Sequence, residues 1–204
     1  MQGIDTIFSL IILMMSVVLH EVSHGYMAAI LGDPTAKYAG RLTLNPLKHL
    51  DPVGSFFVPV ITSILGGPIF GWAKPVPYNP YNLRGGRLGP AIVAAAGPLA
   101  NLFLALFFSF VLHGSFFQSF LSPSVIPIIA GAILINITLF VVNMIPLPPI
   151  DGSKIVFSLI PYRYNYVVEF MERYQLVLIL FVILFLDLVL SRLIWIIYYL
   201  LVGL

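Results

Sequence analysis

Four stretches of this chain, Ile4–Leu31, Leu88–His113, Val125–Ile145 and Gln175–Leu200, are almost wholly apolar. Each reaches the roughly 20 residues that a helix needs to cross a hydrocarbon core about 30 Å thick. Backbone in lipid has no water to bond to and must satisfy itself within the helix. The expected fold is therefore an all-α polytopic membrane protein with about four transmembrane helices. Composition agrees: 60% of the 204 residues are hydrophobic, 9% are charged and mean hydropathy is +1.03. A soluble domain carries about 25% charged residues. The length suits a single domain over 1–204. A net charge of +2 is too small to suggest a nucleic-acid partner, and the absence of cysteine excludes disulfides and thiolate metal sites. No basic region precedes the first apolar run, so it is not read as a cleaved signal.

A fifth apolar stretch, Val53–Trp72, is interrupted by Pro59, Gly66, Gly67 and Pro68 and is read as re-entrant. Positive charge arbitrates its topology. With four spans, Lys37, Arg41, Lys48, Lys74, Arg84, Arg87, Lys154, Arg163 and Arg173 all fall on one side, leaving out only Arg192. If Val53–Trp72 also crosses, the same charges split between both sides. Cytoplasmic loops carry the Lys/Arg excess, which favours four spans, both termini outside and the first helix running inward. Between the first two spans, Ala36–Pro46 alternates apolar and polar residues and Ala73–Pro80 is extended by its prolines. The pair predicts a small β element at the membrane surface.

The first span carries ionisable groups that lipid penalises by roughly 2.5 kcal/mol or more each. His20-Glu21-Val22-Ser23-His24 has the spacing H-E-x-x-H. On a helix the two histidines lie about 40° apart and one turn apart in height, so both imidazoles can reach one metal ion. Glu21 points about 60° from His24, close enough to contact a water on that ion without ligating it. His20 lies about 24 Å along the helix from Ile4, past the midplane and in the cytoplasmic half.

Two histidines want a third protein ligand. His49 lies in a loop beside Asp51, where local hydrogen bonding is the ordinary role. His113 falls at the opposite membrane face. Asp33 and Asp51 each precede proline and read as turn or capping residues. Asp187 lies in the last span near Arg192. Asp151 follows Asn143, Pro146, Pro148 and Pro149 at the inner end of the third span. Asn143 is about 27 Å along that span, at the depth of His24. Prolines there forbid regular helix, and unwound backbone at membrane depth is tolerated where it lines a cavity or is buried in protein. Asp151 either caps a following helix over 153–160 or belongs to the site. The match in depth favours the site.

These residues resemble the site-2 protease family of intramembrane zinc metalloproteases, in its compact prokaryotic form. His20–Ala28 resembles the family's helix motif, Asn143-x-x-Pro146 leading to Asp151-Gly152 its second motif, and Gly97–Asn101 the small-residue motif of the intervening core helix. Arg41–Ser55 and Gly71–Pro80 support the same subgroup. One departure is Ile150, where many members have leucine. The resemblance implies a three-helix catalytic core with a fourth helix beside it, and Zn2+ held by His20, His24 and Asp151. Glu21 would act as the proton acceptor, and Asn143 as a catalytic donor to the oxyanion or to substrate backbone. Gly97 and the alanines before it are read as packing residues. The implied activity is hydrolysis of membrane-protein substrates in the lipid bilayer, near the cytoplasmic side of the cell membrane. The alternative is a non-catalytic metal-binding membrane protein, a pseudoprotease escort or a transporter. A transporter would spread its ionisable groups through both membrane halves, and a pseudoprotease would have lost Glu21 or a ligand.

Overall fold

The computed structural model describes residues 2–51, 53–57, 61, 64, 73–119, 121–185 and 187–203. Three of its helices contain stretches long and apolar enough to cross a membrane: α1 (Gln2–Ile30), α2 (Leu88–His113) and α3 (Ile126–Asn143). They pack against one another pairwise, and small residues allow it: Ala28, Ala94, Ala105 and Ala132 are all buried at the contacts. This is the expected all-α membrane bundle, with the expected three-helix core.

After α3 the prolines act as anticipated. The chain leaves the helix at Met144, passes a cis Pro148–Pro149 peptide and re-enters a helix at α4 (Asp151–Leu159), which lies against α2. Arg87, at the start of α2, fixes the far end of α4 by donating to the carbonyl of Ile160 and stacking 3.9 Å over the Tyr162 ring. An amphipathic helix, α5 (Asn165–Arg173), follows.

The expected fourth span is helical on both sides of residue 186, as α6 (Gln175–Phe185) and α7 (Asp187–Val202). α7 lies along α3 and α2, where Leu190, Ile194, Ile197 and Leu201 cover a buried row of Ala105, Ile129, Ile133, Ile137 and Val141. Its end is tied to α2 by the Ser109 hydroxyl, which donates to Leu201 at 2.6 Å, and by His113, whose Nε2 lies 3.1 Å from the carbonyl of Val202. His113 is thus an end-of-bundle residue, far in the fold from His20.

The predicted β element does not form among the described residues. Thr35–Tyr38 is a helical turn, with Ala36 fully buried, and the chain reverses at Gly40, whose φ is +63°. Apolar–polar alternation over Ala36–Pro46 therefore reflects a turn packed on one side, not a pleat. Residues 73–79 form no regular secondary structure, and their amides bond to side chains and a single loop carbonyl instead of a neighbouring strand. Apart from a short helical turn at Val53–Phe57 and two further positions, the expected re-entrant segment Val53–Trp72 lies outside the described residues.

Asp33 shows how the loops are fastened to the bundle. It is fully buried and accepts hydrogen bonds from the Thr35 hydroxyl (2.6 Å), the Asn79 amide (2.7 Å) and the Asn82 side chain (2.9 Å). Burial opposes its ionisation, yet these donors together hold its carboxyl below the ordinary range. The expected turn residue is also a latch between the end of α1 and the residues before α2. Asp51 keeps the simpler role, accepting from the amides of Val53 and Gly54.

Candidate metal centre

One turn of α1 faces the start of α4 across the middle of α2, and there three side chains converge. The Nε2 atoms of His20 and His24 lie 3.0 Å apart, and they approach Oδ2 of Asp151 to 3.1 and 3.0 Å. All three residues are buried. Among the described residues they form the one cluster of His, Asp or Glu able to hold a metal ion. His49 is elsewhere, its Nε2 lying 2.9 Å from the Thr43 carbonyl.

The outer atoms of the two imidazoles decide which nitrogen faces inward. Nδ1 of His24 donates to the carbonyl of Val93 at 2.7 Å, and Nδ1 of His20 donates to Oδ1 of Asn101 at 2.6 Å. With both protons spent on α2, each Nε2 presents a lone pair. Two lone pairs and a carboxylate oxygen then meet with no proton between them, which is favourable only around a cation. Such outward donation to carbonyl groups is the usual support of metal-bound histidine. Tetrahedral zinc with bonds of about 2.0–2.1 Å separates its ligand atoms by roughly 3.3 Å, close to the spacing here. The donor set therefore fits the ion that the motifs imply.

Asn101 is itself held. Its Nδ2 donates to Oδ1 of Asn136 (3.0 Å) and to the Ser16 carbonyl (3.3 Å), while Asn136 donates to the Ser16 hydroxyl (3.0 Å) and the Ala132 carbonyl (2.9 Å). Ser16, Asn101 and Asn136 are all buried, one from each core helix. Sequence reading named Asn101 only as part of a small-residue motif and passed over Ser16 and Asn136. An amide inside an apolar span was the available signal for Asn136.

Gly97 packs directly on the site. A Cβ there would stand 2.4 Å from Nε2 of His24 and 2.7 Å from Cε1 of His20, inside any tolerable contact. The packing role expected of this glycine is correct, with the imidazoles as its neighbours. Gly152 is as constrained, since a Cβ would meet the carbonyl oxygens of Ile145 and Met144 at 2.4 and 2.5 Å. Asp151 can approach the histidines because the chain beside it is this close.

Beside the three convergent side chains opens a pocket of about 60 Å3, lined by Glu21, His24, Asp151, Lys154, Val76 and Tyr78 among others. That is space for a water or two. Glu21 faces it without joining the three convergent atoms, and its Oε2 accepts from the Val76 amide at 2.8 Å. The strap over 73–79 thus forms one wall, held also by the Lys74 amide on the His49 carbonyl and the Asn79 amide on Asp33. Asn143 donates its amide back to the Leu139 carbonyl of its own helix at 2.8 Å and is not among the residues lining the pocket. Lys154, which sequence reading counted only as a charge, is. The side chain of Asp187 lies outside the described residues.

Three buried side chains that could hold a metal ion, with a separate carboxylate beside them in a bundle of apolar helices, make the arrangement expected of a membrane-embedded metallopeptidase. The model for peptidase family M50 matches residues 118–186, which include Asn143, Asp151 and Lys154. Over 159 residues the chain is 40% identical to "Putative zinc metalloprotease YwhC" of Bacillus subtilis (strain 168), covering 76% of this chain and 69% of that one. It is 34% identical over 142 residues to "Putative zinc metalloprotease Rip2" of Mycolicibacterium smegmatis (strain ATCC 700084 / mc(2)155), and 28% identical to Rip2 of Mycobacterium tuberculosis. Those alignments cover 68% of this chain and 52% of each Rip2, so the chain spans about half the length of these relatives. No solved structure matches it. The chain belongs to peptidase family M50, the site-2 proteases, and is a zinc metalloendopeptidase of that family.

Proposed function

We propose that this single domain, 1–204, cleaves peptide bonds of membrane-embedded protein substrates in the cytoplasmic half of the cell membrane. The observation that carries this reading is the placing of Glu21. It shares a pocket with His24 and Asp151 yet contributes no atom to the ligand cluster.

His20, His24 and Asp151 would hold the ion. When bound, zinc supplies a Lewis acid and lowers the pKa of a coordinated water far below that of bulk water, towards about 7. Glu21 accepts a proton from the attacking water as its oxygen bonds to the scissile carbonyl carbon. The C–N bond then breaks, and Glu21 returns the proton to the departing amine. The Val76 amide holds Oε2 of Glu21, which leaves Oε1 to accept the proton. Asn143 spends one amide hydrogen on the Leu139 carbonyl and keeps its second hydrogen and its Oδ1 for the oxyanion or for substrate backbone. The cytoplasmic placement is supported by the one-sided loop charge.

The test is Glu21→Gln in the full chain, assayed on a transmembrane reporter in liposomes with zinc measured in parallel. General-base assistance is typically worth 10²–10⁴-fold, so cleavage should fall at least about 100-fold while zinc stays. Unchanged cleavage with intact zinc removes Glu21 from the mechanism. No cleavage by either form over many reporters favours a non-catalytic membrane protein.

A further inference from the structure

We infer that Lys154 is a catalytic residue, the cation that stabilises the negative charge developing on the scissile carbonyl oxygen. This rests on the hydrolytic reading above and adds a residue that the ligand and base motifs do not contain. Lys154 is the one lysine or arginine among the residues lining the pocket shared by Glu21, His24 and Asp151. It stands three residues beyond Asp151 on α4, so it projects from the same side of that helix. Its Nζ lies 3.3 Å from Oδ1 of Asp151, the oxygen turned away from the histidines, and 5.8 Å from the centroid of the Tyr78 ring.

Two simpler roles are weaker. If Lys154 existed to hold Asp151 in place, the pair should be enclosed. The lysine side chain is instead 41% exposed, against 12% for the aspartate. A half-exposed pair with a flexible lysine contributes little to positioning. Asp151 is already fixed by its place at the start of α4 and by the close approach of Gly152 to the carbonyls before it. An ordinary surface charge need not line this pocket, and the Tyr78 ring keeps the Lys154 ammonium at its edge.

Charge balance favours the catalytic role. Glu21 and Asp151 bring two negative charges to the pocket, which the divalent ion offsets. As Glu21 takes the water's proton its charge passes to the carbonyl oxygen, so the total is unchanged but negative charge appears at a new place. A mobile ammonium can move from Asp151 Oδ1 to that oxygen when the charge appears. Removing a donor to a developing oxyanion typically costs about 10²–10³ in kcat. The amide first expected in this role, Asn143, is not among the residues lining the pocket.

The experiment compares wild type, Lys154→Gln, Lys154→Arg and Glu21→Gln as full chains in detergent. It reads kcat and KM on a transmembrane reporter, zinc per chain, and affinity for a phosphinic peptide in which a tetrahedral anion replaces the reporter's cleaved bond. Lys154→Gln should lose about 10²–10³ in kcat and a similar factor in phosphinic-peptide affinity, with zinc content and KM little changed, and Lys154→Arg should recover most of both. Zinc lost in step with activity would show that Lys154 serves Asp151, and unchanged kcat would show that it serves nothing here. Either result overturns the inference. If wild type cleaves no reporter, the hydrolytic reading fails first. Lys154-dependent binding of the phosphinic peptide to the zinc form would then still support the residue's role, and absence of such binding would overturn it too.

Discussion

Nδ1 of His20, on α1, donates to Oδ1 of Asn101, on α2, across 2.6 Å and 81 positions of sequence. That bond selects the tautomer whose Nε2 lone pair faces Asp151. Asn101 can accept from His20 only because Asn136 and Ser16 take up its amide hydrogens.

Asn101→Leu should therefore weaken zinc binding without abolishing the fold. Losing the outer partner of a metal histidine typically costs 10–100-fold in affinity. Competition with a calibrated chelator measures it. Asn136→Leu should act in the same direction more weakly, and the double variant should cost less than the sum, because both act through His20. Full additivity would show two independent packing effects.

Gly97→Ala should be far more damaging than an alanine at an ordinary helix position, where it stabilises. Its methyl would stand 2.4 Å from Nε2 of His24, so the imidazole must leave the ligand cluster or the helices must part. Zinc content should collapse while helicity by circular dichroism stays near wild type. A variant with full zinc would mean that α1 and α2 are further apart than described.

Loss of Asp33 should loosen the loops on the membrane surface. Removing a buried acceptor that serves several donors costs about 1–3 kcal/mol, so Asp33→Ala should lower the thermal midpoint. The pH dependence follows from its depressed carboxyl. The stability it contributes is fully present above the ordinary carboxylate pKa of 3.8 and disappears as the pH falls through the lower folded value. Midpoints from pH 7 to pH 3 should fall less steeply for Asp33→Asn than for wild type. Parallel curves would remove Asp33 as a latch.

The topology expected from loop charge can be read by cysteine labelling, since the chain has no cysteine of its own. Single cysteines at Lys48 and Arg84 should both react from the cytoplasmic side. Reaction of the second from outside would show that Val53–Trp72 crosses the membrane.

What the sequence determined alone was local or repetitive. Span length follows from hydropathy, the meeting of His20 and His24 follows from the helical repeat, and the break before Asp151 follows from three prolines. The direction of the Glu21 side chain, towards the pocket beside His24, follows for the same reason, since one residue's step on a helix sets it. The rest depended on chain segments with no fixed spacing between them. Nothing in periodicity says that Asn136 and Ser16 hold Asn101, that the Val76 amide lies on Glu21, or that Lys154 enters the pocket while Asn143 bonds its own helix. The sequence could show that a polar group inside a span must find a partner, because lipid offers none. Only the packing of three helices decided which partner it found. Alternation over Ala36–Pro46 misled for the complementary reason: a turn lying on a bundle buries one side as a strand does, and only the hydrogen bonds tell them apart.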